Sequence, residues 1–254
     1  MHGDLPLART LMLCLLCFGG ATPVRADSKA VDKSIVPGVV FQVGGVGGIG
    51  FMSASTHYAL PKAGLPHEIR DFVWQHGKGH MFLDLQDTRH CLMKAQELAD
   101  QIRKMKEDQP TRPIYIMAHS GGCALSLAAA ELLPEKTIER IVLLSAAVSP
   151  RYDLRPALRA TNYGVISFYS KKDNLVLGWG TKHFGTMDRY YGPSAGYVGF
   201  TVPTNLEAED RMLYARLVQL PWHPKLILAG NSGGHNGSVM PGFLMKEVAP
   251  WLKP

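Results

Sequence analysis

The residues with the clearest chemical potential lie in Ile114 to Leu133, IYIMAHSGGCALSLAAAELL. An apolar run, Ile114 to Met117, leads into Ala118-His119-Ser120-Gly121-Gly122 and then an Ala- and Leu-rich stretch, Cys123 to Leu133, that Pro134 stops. This pattern predicts a strand, a tight turn and a helix. A serine at such a turn is pushed out at the top of a sheet, beside the positive end of the following helix. That is how a weak hydroxyl nucleophile is presented. The turn is crowded, so the positions two before and two after the serine must be small, and here they are Ala118 and Gly122. A serine hydroxyl is barely ionised at neutral pH. It therefore needs a base within hydrogen-bond reach, and the base needs a group to hold its tautomer.

The pentapeptide with its strand and helix resembles the nucleophile elbow of the α/β-hydrolase superfamily, in its lipase and esterase branch. There Ala-x-Ser-x-Gly is a known variant of Gly-x-Ser-x-Gly. The resemblance implies a chain order of nucleophile, acid and histidine, and an oxyanion hole shared between the residue after the serine and the loop after the first core strand.

The elements that must position these groups follow from the pattern. Val39 to Val43 reads as a short strand, followed at once by Gly44-Gly45-Val46-Gly47-Gly48. Those glycines allow a flexible turn or a phosphate cradle. A Walker loop lacks its terminal Lys-Ser or Lys-Thr here. The spacing Gly45-x-Gly47-x-x-Gly50 satisfies a dinucleotide fingerprint, but the next strand ends in Trp74-Gln75-His76 without the required acid. The loop fits best as the implied oxyanion loop. Further strands are expected at Ile69 to Gln75, Ile138 to Leu144, Val165 to Tyr169 and Leu226 to Ala229. Helices are expected at Thr88 to Glu107, near Asp153 to Ala160, at Leu206 to Val218 and at Pro241 to Val248. In the long helix Leu92, Ala95, Leu98, Ala99, Ile102 and Met105 recur at steps of three and four and predict one buried face.

Six strands alternating with helices predict an α/β fold, a three-layer α/β/α sandwich with a mostly parallel six-stranded sheet. Following the superfamily pattern, the strand order is second, first, third, fourth, fifth, sixth. Two front strands of the usual core are expected to be missing and no lid domain is expected, so the chain resembles small lidless esterases and cutinase-like enzymes.

On this resemblance the acid is Asp173, just past the strand after next from the elbow, in Ser170-Lys171-Lys172-Asp173-Asn174. The histidine is His235, in the glycine-rich Asn231-Ser232-Gly233-Gly234-His235-Asn236-Gly237. His223 is expected before the last strand, at the wrong end of the sheet. His119 adjoins the serine, but the elbow is expected to turn neighbouring side chains apart. His183 stays an outside candidate. The implied oxyanion donors are the amides of Gly121 and of Val46 or Gly45. No metal or organic cofactor is implied. His76, His80, Asp84 and Asp87 match no familiar metal template. Leu177 to Pro203, rich in glycine and aromatics, is expected to be a long loop insertion near the site that builds an acyl or alcohol pocket.

Composition agrees with one domain. The 254 residues are 46% hydrophobic and 19% charged, enough for a single sizeable core. Residues 1–26 read as an export signal: Arg9, the apolar run Leu11 to Phe18, Pro23 and a cleavage site after Ala26. The run is shorter than the ~20 residues that a membrane-spanning helix needs. Loss of Arg9, Arg25 and Asp4 takes the net charge from +6 to +5, which is no nucleic-acid signature. The expected chain is therefore secreted or periplasmic, with residues 27–254 as the hydrolase domain. Cys91 and Cys123 remain, either as a disulfide that export permits or as two small buried hydrophobes. The expected activity is cleavage of a small-molecule or lipid ester, with no stable protein partner implied. Acyl transfer with the same triad and non-catalytic binding on a hydrolase fold are the alternatives.

Overall fold

The computed structural model describes residues 34–48 and 50–253. The expected export signal at residues 1–26 lies outside them. In chain order the elements are β1 (Val39–Val43), α1 (Phe51–Lys62), β2 (Glu68–Phe72), α2 (Met81–Gln86), α3 (Thr88–Asp108), β3 (Ile114–His119) and α4 (Gly122–Glu131). They continue with β4 (Arg140–Leu144), α5 (Arg155–Ala160), β5 (Val165–Tyr169), α6 (Thr181–Phe184), α7 (Ala195–Val198), α8 (Ala208–Tyr214), β6 (Leu217–Pro221) and α9 (Pro241–Phe243). All six strands are parallel, in the order β2-β1-β3-β4-β5-β6. Among the described residues, no helix is long and apolar enough to cross a membrane.

The central strands β1 and β3 are buried throughout because helices cover both sheet faces, so they read as apolar runs and not as alternations. Alternation decides only which layer a residue joins. Val39, Phe41, Val43, Ile114, Ile116, Ala118, Ile141 and Leu143 pack with α3, α4 and α5. Val40, Tyr115, Met117, Val142, Leu144, Ile166 and Phe168 pack with α1 and the C-terminal helical segment. Edge strand β2, Glu-Ile-Arg-Asp-Phe, keeps its charges in solvent, which discourages pairing with another chain.

Helix α3 follows its expected face closely. Asp87 caps it by accepting from the His90 amide at 2.9 Å, and Cys91, Ala95, Leu98, Ala99, Ile102 and Met105 are buried. Leu92, expected on that face, is 56% exposed, because it sits one position round the helix from Cys91.

The end of the chain departs most from expectation. Leu226 to Ala229 is not a strand. Pro224 starts a 3-10 turn over Pro224–Ala229, with Ile227 and Leu228 exposed. The sixth strand is Leu217–Pro221, where a helix was expected to run to Val218. It is a half-buried edge strand, and a short apolar run cannot be told from a helical turn by periodicity alone. His223 consequently follows the last strand instead of preceding it, and it is exposed. Four helices were unexpected: α1 after the glycine loop, α2 inside the loop after β2, and the short α6 and α7 within the segment expected to be a long loop. The second strand ends at Phe72, earlier than expected.

Candidate active site

The turn between β3 and α4 is tight enough to force Ser120 to φ +53°, a left-handed conformation that costs a non-glycine residue free energy. The neighbouring strand holds it there. The Ser120 amide donates to the Leu144 carbonyl at 3.0 Å, and the Ala147 amide donates to the Ser120 carbonyl at 3.2 Å. Gly122 is dictated by packing. A Cβ there would lie 2.4 Å from the Gly44 carbonyl oxygen and 2.6 Å from that of Val43. Ala118 is fully buried between β1 and β4.

Three residues far apart in sequence meet at this turn. The Oγ of Ser120 is 2.9 Å from Nε2 of His235, and the Nδ1 of His235 is 2.7 Å from Oδ2 of Asp173. With the proton on Nδ1 donated to the carboxylate, Nε2 is left to accept from the Ser120 hydroxyl. Ser120 and Asp173 are almost fully buried, while the His235 side chain keeps 17% of its surface exposed. The sequence thus named three residues that the fold brings within hydrogen-bond reach.

The glycine loop lies against the same serine. A Cβ on Gly45 would be 3.0 Å from Cβ of Ser120, and one on Gly121 would be 2.9 Å from Cγ1 of Val46. The loop is braced along its length: Trp74 Nε1–H donates to the Gly44 carbonyl at 2.8 Å and Gln75 Nε2–H to that of Gly45 at 2.6 Å. The Gly47 amide donates to Oδ2 of Asp84 at 2.7 Å, and the Gly79 amide donates to the Gly47 carbonyl at 2.9 Å. The glycine loop therefore sits on a fixed frame beside Ser120, and a Cβ on Gly45 would be 3.5 Å from the Ser120 Oγ.

Asp84 acquires a role that sequence spacing did not suggest. Fully buried, it accepts from the Gly47 amide with one oxygen, and from the His76 amide and the His76 Nδ1–H with the other. His76 also lies 3.3 Å from Asp87, and the Asp84 contact, with Asp87 behind it, raises the His76 pKa above its ordinary value. His80 is exposed at the start of α2. Among the described residues, no three His, Cys, Asp or Glu side chains gather as a metal site would require.

His119 departs from expectation. Its side chain is not turned away from the site: Nε2–H donates to the His235 carbonyl at 3.0 Å, and the two rings are 4.8 Å apart. Burial, with the second imidazole beside it, pushes its pKa down to about 3. The only hint in the sequence was the His-Ser pair itself.

The segment after Asp173 is built into the end of the sheet. It opens as a π-helical turn over Asn174–Gly180 and includes α6 and α7. The Met187 amide donates to Ala147 O at 3.0 Å, Ala195 N–H to Val148 O at 2.8 Å and Gly196 N–H to Ala146 O at 2.8 Å. Arg189 crosses to the other side, donating to Gln86 O and, at 2.9 Å, to Thr88 Oγ1. The buried side chain of Met187 lies beside the serine turn, its sulfur 3.5 Å from where a Cβ of Gly121 would be. Cys91 and Cys123 are free and buried, so no bridge joins them. Burial pushes the Cys91 thiol up to about 11 and that of Cys123 higher still.

Residues 67–165, which run from just before β2 to the start of β5 and contain Ser120, match the family model described as "T6SS Tle3 phospholipase effector domain". A search of curated proteins finds no match. Similar solved structures include the Pyrococcus furiosus esterase Pf2001, at 11% identity and TM-score 0.48, covering 89% of this chain and 84% of that one. Esterase PE8 is similar at 14% identity and TM-score 0.46, covering 88% and 94%. A cutinase-like protein from Cryptococcus sp. is similar at 11% identity and TM-score 0.41, covering 85% and 96%. The parallel sheet in its order β2-β1-β3-β4-β5-β6 and the strained serine between β3 and α4 are the fold and the turn that the resemblance to the α/β-hydrolase superfamily implied.

Proposed function

We propose that the chain is an exported serine hydrolase that cleaves carboxylic esters through Ser120, His235 and Asp173 by way of an acyl-enzyme. The observation that carries this reading is His235 itself, 2.9 Å from the hydroxyl on one side and 2.7 Å from the carboxylate on the other. In the reaction, Ser120 Oγ attacks the ester carbonyl carbon while its proton passes to Nε2 of His235. Asp173 accepts the Nδ1–H bond and stabilises the imidazolium. The tetrahedral oxyanion takes hydrogen bonds from the amide of Gly121 and from that of Val46 or Gly45, each donor contributing roughly a hundredfold in rate. The imidazolium then gives its proton to the departing alcohol. Water repeats the sequence on the acyl-enzyme, releasing the acid and restoring the serine.

The segment from Leu177 to Pro203 supplies one wall of the acyl or alcohol pocket, with Met187 beside Gly121. Export rests on the N-terminal reading of residues 1–26. The phospholipase description of the matching family model favours lipid esters among the substrates to be tried first.

The test is to treat the purified mature chain and a Ser120→Ala variant with a fluorophosphonate probe and with p-nitrophenyl esters of graded chain length. Labelling and turnover confined to the wild type are expected. A folded wild type that neither labels nor turns over any ester would overturn the reading.

A further inference from the structure

The loop that carries His235 is short of side chains that could fix it. Asn231 to Gly237 contains Gly233, Gly234 and Gly237, and glycine leaves the backbone many conformations to lose on folding. Hydrogen bonds grip its two flanks. Trp222 Nε1–H donates to Asn231 O at 2.9 Å, the Gly233 amide to Asn231 Oδ1 at 2.8 Å, and Ser170 Oγ–H to Gly233 O at 2.6 Å. Beyond the histidine, Ser238 Oγ and Ser145 Oγ are 3.0 Å apart. The Gly237 amide closes a turn on the Gly234 carbonyl at 2.8 Å across His235, and among the described residues the hydrogen bond to the His235 carbonyl itself comes from His119.

His119 and Ser120 are consecutive, yet both reach the same residue. Ser120 meets the ring of His235 at Nε2, and His119 meets its carbonyl. In a regular strand successive side chains point to opposite faces. The left-handed backbone at Ser120 breaks that alternation and lets the end of β3 engage His235 at two points.

We propose that His119 is a positioning residue: by donating Nε2–H to the His235 carbonyl, it fixes the imidazole between Asp173 and Ser120. This rests on the reading of His235 as the base. Donation from Nε2 requires the Nε2–H tautomer, and neutrality suits the task. A charged ring 4.8 Å away would oppose the imidazolium that forms when His235 takes the serine proton. Burial of His119 keeps it neutral. His119 touches no reacting atom; it acts through His235.

The experiment compares His119→Phe, which keeps a ring without the donor, with His119→Gln, whose amide can return a donor near the same place. Should the phenylalanine variant fail to fold, as judged by circular dichroism, His119→Met replaces it. With p-nitrophenyl butyrate, loss of the donor is expected to lower kcat by about tenfold or more with KM within about twofold, because a misplaced catalytic group forfeits rate more than binding. The glutamine variant is expected to recover most of kcat. The low-field proton resonance of the His235 Nδ1–H bonded to Asp173 is read in parallel. It should be sharp in wild type and His119→Gln, and broadened or lost in His119→Phe. A resonance and kcat unchanged in His119→Phe, or a glutamine variant as impaired as the phenylalanine one, would overturn the proposal. Failure of the wild type to hydrolyse any ester would count against the proposed activity, while the resonance would still decide the role of His119.

Discussion

The Nδ1 of His235 meets Oδ2 of Asp173 at 2.7 Å across 62 residues of chain, and the carboxylate that receives it is only 2% exposed. The amide of Asp173 donates to Ser170 O, and Ser170 Oγ–H donates to Gly233 O in the histidine loop. Asp173 and His235 therefore stand on two loops that are bonded to each other as well as through their side chains.

Asp173→Asn should preserve the fold and abolish most of the activity. An amide that turns its NH2 toward Nδ1 selects the imidazole tautomer with the proton on Nε2, which cannot accept from Ser120. The expected loss in kcat is roughly a thousandfold to ten-thousandfold, with KM little changed. Steady-state kinetics beside a circular dichroism spectrum checks it. A variant within tenfold of wild type would mean that another group orients His235.

Gly122→Ala should destabilise the protein more than Gly121→Ala. At position 122 the new Cβ meets backbone oxygens of Val43 and Gly44 at 2.6 and 2.4 Å, and β1 must shift to admit it. At position 121 the obstacle at 2.9 Å is the Val46 side chain, which has some freedom to move. Overpacking of this kind costs about 1–3 kcal/mol. Denaturant midpoints of the two variants test the order. Equal midpoints would contradict it.

The central fold was legible because buried parallel strands leave apolar runs, and Ile114 to His119, Val39 to Val43 and Val165 to Tyr169 are such runs. The elbow was legible because its small residues are dictated by close approach, as the contacts of Gly122 show. The far edge of the sheet and the turn after it were not. Leu217–Pro221 lies at a sheet edge, where burial is partial and the apolar pattern correspondingly weak, while Leu226–Ala229 looked more strand-like than it is. Nor could spacing place Asp84 or His119. Their roles come from bonds to the backbone of Gly47 and His235, 37 and 116 residues distant, and depend on how the loops pack after the sheet has formed.

Stability should fall as the solution is acidified below about pH 6.5, the ordinary histidine value. His67 accepts the Gly38 amide at Nδ1 and donates from Nε2 to Leu252 O, and burial lowers its pKa. His119 is lowered to about 3. Below pH 6.5 the unfolded chain binds protons that the folded histidines refuse. The folded state therefore loses stability until the pH reaches their folded values, at most about 1.4 kcal/mol per pH unit for each group. His76 acts in the opposite sense, since Asp84 raises its pKa, but it is partly exposed and its effect is smaller. Denaturant midpoints at pH 7 and pH 5 should differ less in His119→Gln than in wild type. An unchanged difference would show that His119 is protonated in the folded state.

Met187 should set the length of acyl chain that the site accepts. Its amide is tied to Ala147 O, and the adjoining turn is anchored across the site by Arg189 on Gln86 and Thr88. The side chain is thereby held beside Gly121, one of the proposed oxyanion donors. Met187→Ala removes three heavy atoms from that wall without touching Ser120, His235 or Asp173. Each methylene accommodated in an apolar pocket is worth roughly 1–3 kcal/mol of discrimination. The ratio of kcat/KM for p-nitrophenyl octanoate over butyrate should therefore rise about tenfold or more. A ratio that stays within twofold of wild type, with the variant still folded, would place the acyl chain on the other side of the site, toward α2, and leave Met187 a core residue of the segment after Asp173.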